Sequence, residues 1–166
     1  SHALEHSLIH GVNHEDLSLR LMKMLEEKYG EIMKMSIEIF QNTYSKKFLH
    51  QLVSGQLDVD RLDYLMRDSF FTGVSEGIIG TERILKMMCV NNGDLAVEEK
   101  GIYSIEKFIM ARRLMYWQVY LHKTVVSAES MMISTLKRAQ ELALSGEKLF
   151  ASPALAYFLE NNVEKS

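Results

Sequence analysis

The stretch LDVDRLDYLMRD, residues 57–68, decides how the rest of the chain is read. On a helical wheel at about 100° per residue, Leu62, Leu65, Met66, Phe70 and Val59 collect on one arc. Asp60, Arg61, Tyr64, Arg67 and Asp68 collect on the other. Asp60, Tyr64 and Asp68 fall at i, i+4 and i+8, so they line up over two turns. Two readings fit. The polar arc is a solvated face tied by ion pairs such as Asp63 with Arg67, or it is the wall of a pocket. In the second case a carboxylate holds a cation, an arginine meets phosphate, and a tyrosine supplies a stacking or hydroxyl contact. Periodicity alone does not choose between them.

Helical patterns surround this segment. Residues 1–10 read as a short helix or the end of one, interrupted at Gly11-Val12-Asn13. Asn13 is placed to cap the next helix, with Glu15 and Asp16 in its first turn. That helix carries Leu17, Leu21, Met24 and Leu25 at helical spacing and ends near Gly30. The segments EIMKMSIEIF and KKFLHQLVS follow as amphipathic helices, the second closed by Gly55, and Gly73 stops the helix carrying residues 57–68. After ERILKMM, the run CVNNGDLAVEE predicts a β-hairpin turning at Asn92-Gly93. From Ser104 to Leu144 the pattern is one long helix, or two joined near Thr124-Val125-Val126. Ser152-Pro153 begins a last short helix. The expectation is an all-α fold, a helical bundle with one small hairpin near 88–98, and a single domain over 1–166 with no internal boundary.

Composition narrows the function classes. The chain has 166 residues, one proline, nine glycines and eleven methionines, a mix that favours helix. Its net charge of −3 gives no strong nucleic-acid signal, although local basic pockets for phosphorylated ligands are compatible with it. Cys89 is the single cysteine, so a reducing compartment fits best. No apolar run reaches the roughly 18 residues that span a bilayer. The chain therefore reads as soluble and cytoplasmic, with no membrane partner.

Residues 57–74, LDVDRLDYLMRDSFFTGV, resemble the motif that carries the last aspartate of the HD-domain phosphohydrolases. More narrowly, they are similar to the branch of the SAM-and-HD-domain dNTP triphosphohydrolase and its bacterial relatives. SHALEH at the start resembles the residues just after that branch's His-Asp motif. HEDLS resembles its following His-Glu segment, and RRLMYWQVYLHK resembles its later substrate-contacting helix. Together these matches cover most of the chain in the expected order. The resemblance implies an incomplete HD-domain core plus the following long helices, a fragment that starts after the His-Asp motif.

It also implies roles. Asp60 matches a ligand of a divalent metal ion (Mn, Mg, Zn, Fe or Ni), the one ligand of four that this chain would carry. His2 matches a proton donor to the leaving oxygen, and His14 matches a second active-site histidine over the scissile phosphate. Glu5 matches an acidic residue that orients the catalytic histidine. Imidazole suits these tasks because it titrates near neutrality. Arg61 matches a basic residue on the triphosphate, usually lysine in the family; its planar fork offers a different geometry to phosphate oxygens. Tyr64 and Asp68 match residues near the sugar. Arg112 and Tyr120 match nucleotide contacts, and Tyr116 stands where some relatives carry histidine. The implied reaction converts a deoxynucleoside triphosphate to the nucleoside and triphosphate, the fragment itself being inactive.

The residues alone support blander assignments. His2, His6, His10 and His14 repeat every four positions, as metal-binding pairs on a helix would, but Gly11 and Asn13 should interrupt that helix. His6, His10 and His50 read as surface or packing residues. Arg112, Tyr116 and Tyr120, again at i, i+4 and i+8, also fit a core stripe or a homo-oligomer interface. His122 and Lys123 lie where some relatives form a nucleotide-binding allosteric site. Two rival functions stand beside the triphosphohydrolase: an HD hydrolase of another phosphoester or signalling nucleotide, and a non-catalytic helical scaffold.

Overall fold

The computed structural model describes residues 7–11 and 13–164. Helix dominates the described residues, accompanied by one small antiparallel sheet, so the HD-like helical fold is as expected. Two compact units divide the chain: residues 23–122, and residues 1–22 together with 123–166.

Helix α1 (His14–Tyr29) is capped as its sequence suggests. The Asp16 amide donates to Asn13 Oδ1 at 2.7 Å, satisfying one of the unpaired donors of the first turn. Of its apolar stripe, Leu17, Leu21 and Met24 are exposed and Leu25 is half-buried. Gly30, at φ +69°, breaks the chain into α2 (Glu31–Phe40). Helix α3 (Lys47–Ser54) is tied to α2 by half-buried His50, whose Nδ1 lies 2.9 Å from the Ile39 carbonyl oxygen. His50 is thus a packing residue.

Helix α4 (Val59–Thr72) holds the deciding motif and ends at Gly73 in the left-handed region, as expected. Its buried face differs from the wheel. Leu62, Leu65 and Ser69 are buried, whereas Val59, Met66 and Phe70 are exposed. The cause lies in the turn Ser75–Gly77, which crosses the helix at very short range. Ser69 Oγ donates to the Val74 carbonyl at 2.6 Å. A Cβ on Gly77 would stand 2.6 Å from the Leu65 carbonyl oxygen and 2.7 Å from Ser69 Cβ. A small residue therefore belongs at 69, and Phe70 is turned outward.

Helix α5 (Thr81–Met87) leads into strand β1 (Met88–Asn91), paired antiparallel with β2 (Asp94–Val97). Positive φ at Asn92 and Gly93 makes the predicted two-residue turn. Gln51 on α3 anchors this hairpin: its Nε2 donates to Asp94, and its Oε1 accepts from the Leu95 amide. Helix α6 (Ile102–Met115) packs on α4, and Leu62, Leu65, Ile79, Ile84, Phe108, Ala111 and Met115 form the core between them.

The chain then widens into a π-turn over Tyr116–Tyr120, closed by a Leu121 amide bond to the Tyr116 carbonyl at 2.7 Å. The long helical pattern is therefore two helices, joined slightly earlier than Thr124-Val125-Val126. Helix α7 (Lys123–Leu144) is the second. In the other unit, α8 (Pro153–Glu160) starts at the Ser152 cap and packs on α7. There Ile9–His10 is a strand, β3, paired parallel with β4 (Val163–Glu164). Helix was expected at residues 9 and 10; Gly11, at φ +76°, turns the backbone out of that path. His10 and His14 therefore do not share a helix, and the fourfold histidine spacing has no structural counterpart there.

Candidate functional site

The N-terminus of α4 is built around Asp58, which is only 4% exposed. Its Oδ1 accepts from the Arg61 amide at 2.7 Å, the bond of a helix N-cap. Its Oδ2 accepts from Arg61 Nη1, and the same nitrogen donates to the Gly55 carbonyl. Among the described residues, Nε and Nη2 of Arg61 make no hydrogen bond. Asp60 sits in the first turn, exposed, without a hydrogen bond or ion pair among the described residues.

One turn further on, the polar arc meets the π-turn. The Tyr120 hydroxyl donates to Asp68 Oδ2 at 2.7 Å. The Tyr64 and Tyr120 rings stand edge to face at 6.0 Å between centroids, and Tyr116 and Tyr120 do so at 5.2 Å. Arg112 lies over Tyr116, its guanidinium carbon 5.9 Å from the ring centroid. Arg112 Nη1 also donates to Gln56 Oε1 at 3.4 Å. Five of the expected residues, Tyr64, Asp68, Arg112, Tyr116 and Tyr120, thus converge from two helices onto one half-buried surface, with Arg61 on the same arc of α4. The wider π-turn lets Tyr120 lean on Tyr64 and still reach Asp68.

Electrostatics fix the protonation of this surface. Burial pushes the Tyr120 phenol well above its ordinary value, and the hydrogen bond to Asp68 and that carboxylate's charge add to the effect. Burial likewise raises Tyr64, helped by Tyr116 and opposed by Arg61 and Arg112. Both hydroxyls are donors at neutral pH. Phenol donors, a carboxylate and two guanidinium groups on an aromatic wall suit a ligand with hydroxyls at one end and anionic oxygens at the other. The solvated reading holds for Asp63 and Arg67. Arg67 binds Asp63 through two nitrogens at 2.9 and 3.0 Å, both side chains in open solvent.

His2 and Glu5 lie outside the described residues. His14 is exposed in the first turn of α1 and belongs to the other unit. Among the described residues no three His, Cys, Asp or Glu side chains gather as metal ligands. A divalent cation recruits several such groups, so Asp60 could offer one oxygen ligand but makes no metal centre by itself. No helix among the described residues is long and apolar enough to cross a membrane.

Gly55, Gln56 and Asp58 were not expected here. The signal for Asp58 was present: an aspartate directly before an amphipathic run is an N-cap signature. A neighbouring cleft of 670 Å³ between α3, β2 and α6 shares Gly55 and Gln56 but none of the tyrosines.

Residues 79–152 match the family described as the HD associated region. The crystal structure of a phosphohydrolase from Bacteroides thetaiotaomicron is 59% identical and superposes with a TM-score of 0.96, covering 99% of this chain and 41% of that one. The uncharacterized protein YwfO of Bacillus subtilis is 35% identical over 93% of this chain and 40% of its own length. A deoxynucleoside triphosphate triphosphohydrolase, the SAMHD1 homolog of Dictyostelium discoideum, is 24% identical over 82% of this chain and 29% of its length. The chain thus spans less than half the length of each of these relatives. The match over residues 79–152 and these likenesses make the chain similar to HD-domain proteins and phosphohydrolases.

Proposed function

We propose that this chain supplies the nucleotide-binding wall of a metal-dependent HD phosphohydrolase that splits deoxynucleoside triphosphates into nucleoside and triphosphate. One observation carries the reading: Tyr64, Asp68, Arg112 and Tyr120 meet on one surface, bound together by the Tyr120–Asp68 hydrogen bond. A phosphoester without a nucleoside has no use for an aromatic wall joined to a hydroxyl-reading carboxylate. The homolog that bears a triphosphohydrolase name supports the same substrate class.

In this reading Arg61 grips phosphate oxygens with the guanidinium edge turned away from Asp58. Tyr64 and Tyr120 close around the sugar and leave little room beside C2′, which disfavours ribonucleotides. Asp68 accepts from a sugar hydroxyl, and Arg112 over Tyr116 faces the base or the phosphates. Asp60 contributes a carboxylate to the cation that the family uses, His2 and His14 serve proton transfer, and Glu5 orients the catalytic histidine.

The test takes the full-length protein with added Mn²⁺ and screens nucleoside triphosphates for released triphosphate. Triphosphate from deoxynucleotides, lost in Asp60→Ala, is the expected result. Release of inorganic phosphate instead, or full activity in Asp60→Ala, counts against the reading.

A further inference from the structure

We infer that Asp58 is a positioning residue for phosphate recognition, acting through Arg61; this rests on the function proposed above. Both carboxylate oxygens are committed. Oδ1 caps α4 through the Arg61 amide at 2.7 Å, and Oδ2 holds Arg61 Nη1. One buried side chain thereby fixes the backbone and the guanidinium of the same residue.

The neighbouring loop completes the clasp. The Gly55 carbonyl takes the same Nη1, and Gln56 Oε1 accepts from Arg112. Gly55 cannot be replaced freely, because a Cβ there would stand 2.2 Å from the Gln51 carbonyl oxygen. Residues 55–58 thus hold one edge of each arginine from the same side. A flexible side chain with four rotatable bonds is thereby narrowed to few rotamers before any anion arrives. That ordering strengthens anion binding, because less side-chain freedom is lost on contact. The buried Asp58 carboxylate offsets part of the charge of Arg61, while Arg112 is held by the neutral Gln56 amide.

Capping and positioning separate in Asp58→Asn. Asparagine keeps an oxygen for the Arg61 amide and is an equally good N-cap. It places an NH₂ group where Oδ2 was, so it cannot accept from the guanidinium. In the full-length protein, Asp58→Asn should melt close to wild type yet raise KM for the deoxynucleotide about tenfold, with a smaller change in kcat. Asp58→Ala should lose both the cap and the KM advantage. Arg61→Ala combined with Asp58→Asn should behave as Arg61→Ala alone, since the two act as one unit.

An active wild type with an unchanged KM in Asp58→Asn overturns the inference and leaves the proposed function standing. Additive effects in the double variant overturn it as well, because Asp58 would then act independently of Arg61. A wild type that releases no triphosphate overturns the proposed function, and the inference falls with it.

Discussion

The Tyr120 hydroxyl donates to the Asp68 carboxylate across 2.7 Å, joining the π-turn to the middle of α4. The two residues are far apart in sequence and bring two helices' polar faces to one place. Tyr120→Phe keeps the ring contacts with Tyr64 and Tyr116 but removes this bond. A hydrogen bond to a charged acceptor contributes about 1.5–3 kcal/mol, and partial exposure here puts the expectation at the lower end. Urea denaturation of the full-length protein should show a loss of about 1.5 kcal/mol. The KM for a deoxynucleotide should rise with it, since Asp68 loses the partner that orients it.

The same pair predicts a response to alkaline pH. The Tyr120 phenol is raised in the folded protein, by burial first and by Asp68 next. A raised folded value means that the folded state holds its proton more tightly than the unfolded chain. The associated stability is complete below the ordinary phenol value of 10.0 and is lost only as pH climbs through the higher folded value. Ultraviolet tyrosinate titration should therefore show late-titrating phenols, Tyr120 among them. In Tyr120→Phe one of these should disappear. A titration in which every tyrosine ionises together near pH 10 contradicts the buried hydrogen bond.

Asp63 and Arg67 provide the contrasting case on the same helix. Their two-point contact holds the Asp63 carboxyl below its ordinary value, yet both groups are fully exposed. Solvent and salt screen such pairs almost completely. Asp63→Ala should leave the melting temperature and the nucleotide KM at wild-type values, in low and in moderate salt. A large change in KM would move the ligand surface to the outer arc of α4, away from Tyr64 and Asp68.

The sequence pattern was most legible where the physics is local. Asn13, Gly73, Asn92-Gly93 and Ser152-Pro153 each act within a few residues, and each does what its type dictates. The polar arc of α4 was also legible, because a spacing of four places Asp60, Tyr64 and Asp68 together on any helix. Burial was not. The exposure of Phe70 and the burial of Ser69 depend on Gly77 crossing the helix, a contact between segments that a wheel cannot contain. The π-turn was hidden for another reason: Tyr116 and Tyr120 sit four apart in α and π geometry alike. Asp58 carried a readable cap signal, but its second oxygen's grip on Arg61 is a tertiary fact.

Gly77 gives the sharpest test of the packing that supports the site. Its backbone lies between α4 and α6, and an added methyl would meet the Leu65 carbonyl at 2.6 Å, Ser69 Cβ at 2.7 Å and Met115 Sδ at 3.1 Å. Two of these neighbours belong to a helical backbone and a short side chain, and neither can swing away. Leu65 and Met115 are fully buried, so the strain must push α4 and α6 apart. Gly77→Ala should cost about 2–3 kcal/mol in urea denaturation, the upper range for overpacking a core. Moving those helices also separates Asp68 from Tyr120, so kcat/KM should fall further than Tyr120→Phe alone lowers it. Ser69→Ala removes a hydroxyl bonded to Val74 without adding bulk and should leave kcat/KM near wild type, with only a modest stability loss. Equal behaviour of the two variants would mean that the Gly77 crossing does not set the spacing of the tyrosine cluster.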